Sequence, residues 1–184
     1  LKTLLEEKYS VVETPLSYNT PIGVAKTVLS EDFAGKEVFI AEMGARKKGD
    51  IAELCAMVKP SYGIFTGVCS QHIRTFGDLQ SVYEEKSEIL RSGAKVICGE
   101  SVKQFDGGVA TACPVEDVLL GATFTSFTLC LGEQKIAVKT TLLGSAAVEN
   151  IALAATLAFE MGLSAEQIQR GVEKLQPIEH RLQL

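Results

Sequence analysis

The sequence lacks the features that mark secreted, membrane-spanning or nucleic-acid-binding chains. Five cysteines are scattered over 184 residues without a CxxC pair, and their odd number argues against a disulfide framework. We expect free thiols, mostly buried, in a reducing compartment. No apolar run approaches the roughly 18 residues of a membrane span, and no charged leader with a cleavage site opens the chain. Because acidic residues outnumber basic ones and the net charge is −5, nucleic acid is not an expected partner. A cytoplasmic protein is the interpretation that these absences favour.

Repeats, linkers and low-complexity stretches are also absent, so we expect one domain over residues 1–184. Helical and strand periods alternate along the chain, which predicts the α/β class: a mostly parallel sheet flanked by helices. Between about residues 109 and 143, the short β-rich runs VATAC, TFTSFTLCL and QKIAVKTTLL predict a small antiparallel region appended at one edge. The predicted helices are 1–8, 21–31, 51–59, 78–91, 145–161 and 164–175, and the predicted parallel strands are 9–13, 37–43, 62–68 and 94–99.

One lysine lies on the apolar face of a predicted helix. In SVYEEKSEIL, helical spacing puts Lys86 on the stripe of Val82 and Tyr83, whereas the glutamates are expected on the solvated side: Glu84, Glu85 and Glu88. Two interpretations are open. The aliphatic stem of Lys86 could cover apolar surface with its ammonium in water. Alternatively, a desolvated lysine with a lowered pKa could take part in chemistry.

Polar residues follow three of the predicted strands, in the segments TPLSYNTPIG, EMGARKKGD and GVCSQHIRTFG. Ligands of open α/β sheets bind at such carboxyl ends. Taken singly, each residue has a structural explanation: Thr14 and Asn19 could satisfy turn backbone, Glu42 could pair with the neighbouring cations, and His72 could be a surface histidine. Taken together, Glu42 and His72 at adjacent strand ends could share a divalent cation, with Lys86 following on the next helix.

These motifs carry a resemblance to a known family. TPLSYNTPIGV, EMGARKKGDI, TGVCSQHIRTFGDLQSVYEEKSEIL, GSAAVENIALAATLAFEMGL and HRLQL follow one another as in the central domain of the Mur ligases. These are ATP-dependent, amide-forming enzymes of peptidoglycan synthesis with a P-loop-NTPase-like fold. The EMG triplet with the following Gly-Asp-Ile most resembles the MurF branch, which adds D-Ala-D-Ala to UDP-MurNAc-tripeptide. The resemblance implies that ATP phosphorylates a substrate carboxylate and that the incoming amine attacks the resulting acyl phosphate.

The resemblance also implies a metal site. Glu42 and His72 match the glutamate and histidine that bind Mg²⁺ in the family. Lys86 matches a lysine that members carbamoylate, which turns a cation into an anion that helps to hold a second Mg²⁺. A neutral lysine is nucleophilic towards carbon dioxide, and the metal then balances the carbamate charge.

For the nucleotide and the substrate, the resemblance implies four further residues. Asn150 matches an asparagine that contacts adenine, and Arg181 matches an arginine that reaches the nucleotide. Thr14 and Asn19 match the loop that faces the nucleotide-sugar substrate. Without the resemblance, Asn150 would be a helix cap and Arg181 a solvated residue near the end of the sequence.

Several departures from the family pattern argue against ligase activity in this chain alone. The chain contains no Gly-x-x-x-x-Gly-Lys-Ser/Thr loop, which cradles ATP phosphates, and no equivalent of the family's last domain. Gly67 and Cys69 stand where the family has Asn and Gly, and Ala146 and Ala147 stand where it has His-Asn. We therefore expect these 184 residues alone to lack ligase activity. The alternatives are a degenerate relative that binds a nucleotide or a partner without catalysis, and a non-enzymatic α/β interaction module.

Overall fold

The computed structural model describes residues 1–15, 18–69, 73–106 and 112–177. The chain forms two compact units. The terminal unit comprises Leu1–Tyr9 and Thr111–Leu184, and the inner unit comprises Ser10–Ala110. In chain order, the helices and strands are α1 Lys2–Leu5, β1 Val11–Glu13, α2 Pro21–Ser30, β2 Val38–Ile40, α3 Asp50–Val58, β3 Tyr62–Phe65, α4 Ile73–Phe76, α5 Leu79–Lys86, β4 Lys95–Cys98, α6 Lys103–Asp106, β5 Val115–Leu120, β6 Thr125–Leu131, β7 Gln134–Thr140, α7 Ser145–Glu160 and α8 Ala165–Glu173.

The inner unit is built on two parallel strand pairs. Strand β1 pairs with β2, and β3 pairs with β4. The helices of this unit pack through apolar side chains that are fully buried: Val24, Leu54 and Val82. Helix starts follow local signals, since the Thr20 side chain caps α2 ahead of Pro21 and the Asp78 side chain caps α5.

The terminal unit contains the antiparallel part of the fold. Strands β5, β6 and β7 form one sheet with β6 in the middle. Alternate residues of β6 are buried, and the alanine-rich α7 is buried along most of its length. Helix α8 begins with a capping box in which Ser164 and Gln167 satisfy each other's backbone N–H groups. Helix α1 contacts α8.

The predicted α/β class is confirmed, with helices beside both parallel and antiparallel strands. Two local predictions differ from the structure in ways that bear on the fold. The helix predicted over 78–91 ends at Lys86 and continues as a 3₁₀ turn over Ser87–Arg91. Strand β5 was not among the predicted runs. The run VATAC, which was predicted as a strand, falls largely outside the described residues.

All five cysteines are free thiols, as expected, but they are not mostly buried. Cys55 and Cys98 are buried, Cys113 and Cys130 are half-buried, and Cys69 is exposed. Burial raises the pKa of the Cys55 and Cys113 thiols, so both stay protonated at neutral pH and pack as small apolar groups.

An ion-pair cluster joins α8 to the segment after α1. The carboxylate of Glu7 accepts a hydrogen bond from Arg170 at 2.9 Å and another from Lys174, and its side chain is only 8% exposed. The hydrogen bonds from Lys174 and then Arg170 lower the pKa of Glu7. A carboxylate with a lowered pKa stabilises the fold above its unfolded-state pKa, and this contribution is lost as pH falls through the folded-state pKa.

Replacing Glu7 should therefore remove a pH-dependent part of the stability. We expect Glu7→Gln to lower the urea midpoint of unfolding at pH 7 and to have a smaller effect as the pH falls below the ordinary glutamate pKa of 4.5. Glu6→Gln is the matched control, because Glu6 is exposed and pairs with Lys2 only at 4.0 Å. A Glu7→Gln midpoint shift that is equal at pH 7 and pH 3.5 would contradict this account.

Candidate functional site

Four hydrogen bonds connect the segments that follow β1 and β2. Because these strands are parallel neighbours, their carboxyl ends lie at one edge, where the Thr14 backbone N–H donates to Ile40 O at 2.9 Å. The Glu42 N–H donates to Thr14 Oγ1 at 3.1 Å, and Asn19 Nδ2 donates to Glu42 Oε1 at 3.0 Å. The Gly44 N–H donates to the Asn19 carbonyl at 2.6 Å. Three of the predicted site residues, Thr14, Asn19 and Glu42, therefore form one network.

Gly44 makes this network possible because it has no side chain. A Cβ atom at position 44 would lie 2.9 Å from Asn19 Cγ and 3.0 Å from Asn19 Nδ2. Contacts this short do not occur between real side chains, so any larger residue would displace the amide that hydrogen-bonds to Glu42. The glycine of the EMG triplet thus has a packing role in the network.

The carboxylate of Glu42 fits a hard divalent cation. Its side chain is exposed, the Asn19 amide orients one oxygen, and the second oxygen accepts no hydrogen bond from the residues that the structure describes. No group of three or more His, Cys, Asp or Glu side chains that could hold a metal occurs among those residues. Magnesium commonly takes one or two protein carboxylates and completes its shell with water and substrate phosphates, which is compatible with this donor set. The alternative explanation for Glu42, an ion pair with the neighbouring Arg46 or Lys47, is not formed in the described part of the chain.

Lys86 is the last residue of α5 and is half-buried. One turn earlier, Val82 and Tyr83 are buried in an apolar cluster, and the Tyr83 ring stacks between Phe65 and Phe105. The predicted stripe is therefore buried at Val82 and Tyr83, whereas Lys86 itself is only half-buried. Within the described ranges it forms no ion pair. A half-buried position suits both a snorkelling lysine and a reactive one, so its role stays a prediction.

The buried charge of α5 is Glu85, and the expectation that Glu85 faces solvent is wrong. Glu85 is 4% exposed, and its two carboxylate oxygens accept hydrogen bonds from the Gly49 N–H at 2.7 Å and the Ile51 N–H at 2.9 Å. These N–H groups belong to the start of α3, where Gly49 is the N-cap and offers no side chain. The sequence signal for this contact is the glycine itself, because a helix capped by glycine must find acceptors elsewhere.

A second buried carboxylate organises the loop before α3. Asp50 is 3% exposed, and its Oδ2 accepts hydrogen bonds from the backbone N–H groups of Arg46 at 2.8 Å and Lys47 at 3.1 Å. The sequence pattern did not mark Asp50 as a buried residue. Together, Asp50 and Glu85 hold the backbone that runs from the Glu42 network to α3.

At the carboxyl end of β3, one departure from the family pattern has a steric explanation. A Cβ atom at Gly67 would lie 2.4 Å from Ser101 Oγ, and that hydroxyl accepts a weak hydrogen bond from the Val68 N–H at 3.4 Å. The Ser101 side chain therefore occupies the space that a side chain at position 67 would need. An asparagine at position 67 would require Ser101 to move.

The remaining predicted site residues lie either outside the described residues or in the terminal unit. His72 and Arg181 lie outside the described residues. Asn150 belongs to the terminal unit, where it is exposed in the second turn of α7. It does not cap that helix, whose N-cap is Gly144, so the capping explanation for Asn150 is wrong. Ala146, in the first turn of α7, is exposed as well.

Comparison with known proteins identifies relatives of this chain. The profile of the Mur ligase middle domain family matches residues 1–106. The UDP-N-acetylmuramoyl-tripeptide–D-alanyl-D-alanine ligase of Treponema pallidum is 28% identical over 193 aligned residues, which cover 96% of this chain and 40% of the relative. The enzyme of the same name from Mycobacterium tuberculosis H37Rv is 29% identical, over 95% of this chain and 38% of its own. The chain thus spans about 40% of the length of these relatives.

Solved structures share the fold. The MurF ligase of Thermotoga maritima in complex with ADP superposes with a TM-score of 0.83 and 23% identity, covering 96% of this chain and 44% of the ligase. MurF from Acinetobacter baumannii gives a TM-score of 0.79 at 19% identity, covering 98% of this chain and 43% of its own. None of the helices among the described residues is long and apolar enough to span a bilayer.

The role of Gly44 can be tested by a double-mutant cycle. Gly44→Ala should lower the free energy of unfolding by about 1 kcal/mol, because the Asn19 amide must leave Glu42 to avoid the new methyl group. In an Asn19→Ala background, the same substitution should cost almost nothing. Urea denaturation of the four proteins measures both values, and an equal cost in the two backgrounds would rule out a conflict with the Asn19 side chain.

Proposed function

This chain belongs to the Mur ligase middle domain family, and on that premise we propose that it is the central domain of an ATP-dependent, MurF-like ligase. The ligase would join D-Ala-D-Ala to UDP-MurNAc-tripeptide in the cytoplasmic stage of peptidoglycan synthesis. The observation that carries the proposal is the Thr14–Asn19–Glu42 network, which holds an exposed carboxylate at the carboxyl end of a parallel strand pair.

In the proposed reaction, the terminal carboxylate of the tripeptide attacks the γ-phosphorus of ATP, and the bond between that phosphorus and the bridging oxygen breaks to release ADP. The amine of D-Ala-D-Ala then attacks the acyl phosphate carbon, and phosphate leaves as the amide forms. The first step brings two anions together and leaves an acyl phosphate that water could hydrolyse. A divalent cation supplies charge neutralisation between the two anionic reactants.

Glu42 and His72 are the residues that we propose to hold Mg²⁺. The Asn19 amide binds one oxygen of the Glu42 carboxylate, the second oxygen accepts no hydrogen bond from the described residues, and Thr14 fixes the backbone at the same place. Because Thr14 and Asn19 are partly engaged in this way, their proposed contact with the nucleotide-sugar substrate would place that substrate beside Glu42.

Lys86 is the residue that we propose to become a carbamate. Its neutral amine would form an N–C bond with carbon dioxide and release one proton to water, and the resulting anion would serve a second cation. The proposal is supported by its half-buried position at the end of a helix anchored by Val82 and Tyr83. Asn150 and Arg181 are proposed to contact the adenine and the rest of the nucleotide, respectively.

A degenerate relative that binds a nucleotide without catalysis is the competing proposal. It is favoured by the non-polar Gly67 and Ala146, at positions where the family places polar side chains. The two proposals differ in one measurement. The complete polypeptide that contains this chain should hydrolyse ATP only when UDP-MurNAc-tripeptide and D-Ala-D-Ala are both present. Absence of that hydrolysis would reject the ligase and leave the non-catalytic proposal.

Lys86 provides the sharper test of mechanism. In the complete polypeptide, Lys86→Ala should lower kcat on the order of 100-fold or more. The reason is that losing a charged metal ligand should cost at least as much as losing a residue that only hydrogen-bonds to a ligand. A short carboxylate such as acetate should restore part of the activity. Lys26→Ala is the matched control, because Lys26 is an exposed lysine of the same unit. A fully active Lys86→Ala protein would reject the carbamate.

A further inference from the structure

Helix α3 has an unusual N-terminus, because its cap comes from another helix. Gly49 adopts a left-handed backbone conformation with φ of 94° and has no side chain to accept a hydrogen bond. The N–H groups of Gly49 and Ile51 donate instead to the two oxygens of Glu85, which belongs to α5, 34 residues or more further along the chain. One carboxylate therefore replaces the side-chain cap of a different helix.

The segment that carries the candidate metal ligand, Glu42, leads directly into this capped helix. From Glu42, the backbone is held first by Thr14 and Asn19 and then by Asp50, which binds the N–H groups of Arg46 and Lys47. Glu85 binds the N–H groups of Gly49 and Ile51. Side-chain and backbone acceptors therefore hold the segment from Glu42 to Ile51 at several points along its length.

On α5, Glu85 and Lys86 are adjacent. Consecutive residues of a helix differ by about 100° in direction and about 1.5 Å along the axis, so a contact that fixes Glu85 also fixes the direction of Lys86. Val82 and Tyr83 bury the same helix against the apolar cluster around Phe65. Apolar packing is non-directional, whereas two short hydrogen bonds to neighbouring N–H groups define both rotation and position.

From these contacts we infer that Glu85 is a positioning residue: it couples the helix that carries Lys86 to the loop that carries Glu42, and so sets the geometry of the two metal-side groups. Glu85 itself touches neither metal nor substrate. The inference rests on the proposed function, since it concerns how Glu42 and Lys86 are held.

The test uses the complete ligase polypeptide and compares Glu85→Gln with wild type. Glutamine is nearly isosteric, but its NH₂ group would face a backbone donor, so one of the two hydrogen bonds is lost. We expect the Mg²⁺ concentration for half-maximal turnover to rise about tenfold, as for other residues that orient a ligand from outside. The carbamate signal of Lys86 in ¹³C NMR with labelled bicarbonate should weaken, and the Gly49 amide should exchange with solvent at least about tenfold faster.

Glu84→Gln is the matched control, because Glu84 is the exposed neighbour on the same helix and contacts only Gln80 through its side chain, at 3.4 Å, among the described residues. It should leave all three readouts within about twofold of wild type. Glu85→Asp keeps the charge but reaches about 1.5 Å less far, one carbon–carbon bond, and should give intermediate values. If Glu85→Gln does not fold, Glu85→Asp takes over the comparison.

Two outcomes would overturn the inference. A folded Glu85→Gln protein with faster Gly49 exchange but an unchanged Mg²⁺ requirement and carbamate signal would make Glu85 a purely structural cap and overturn the inference. If the wild-type ligase turns over while its Glu85→Gln variant gives this result, only the positioning inference fails and the proposed function stands. A wild-type protein with neither turnover nor carbamate would reject the proposed function, and the inference with it.

Discussion

The buried carboxylate of Glu85, bonded to the first N–H groups of α3, is the interaction on which the arrangement of the inner unit depends. Burying a charge is costly unless hydrogen bonds replace its water, and here both oxygens are satisfied by backbone donors of a helix start, where partial positive charge is concentrated. The same contact provides acceptors for two N–H groups at the start of α3, which Gly49 cannot cap because it has no side chain. The Glu85 carboxylate and the N–H groups of Gly49 and Ile51 thus satisfy each other's hydrogen bonds, and this contact joins α5 to α3.

The candidate site depends on this arrangement together with the parallel pairing of β1 and β2. Parallel pairing brings the ends of two strands that are far apart in sequence to one edge, and Thr14 and Glu42 then meet through a hydrogen bond. Gly44 allows the Asn19 amide to approach closely enough to orient Glu42. The site is thus a product of backbone geometry, which brings the Thr14 hydroxyl to the Glu42 N–H and the Asn19 amide to the Glu42 carboxylate.

Much of the fold could be predicted because its signals are local. Thr20 before Pro21, and Ser164 with Gln167, mark helix starts within a few residues of sequence, and the structure uses both. Strand β5 could not be predicted in the same way. Its pairing shifts register between Glu116 and Leu119, and Asp117 adopts a positive φ, so the alternation that marks a strand is broken.

The sequence by itself determined the α/β class, the family and the membership of Thr14, Asn19 and Glu42 in a polar edge, because periodicity and motif spacing are properties of the chain alone. Only the tertiary structure decided that Glu85 is buried and Lys86 half-exposed. Helical spacing separates two adjacent residues by direction, but it cannot tell which direction meets a donor-rich helix start and which meets solvent. That choice is made by the contact between α5 and α3, whose residues are distant in sequence.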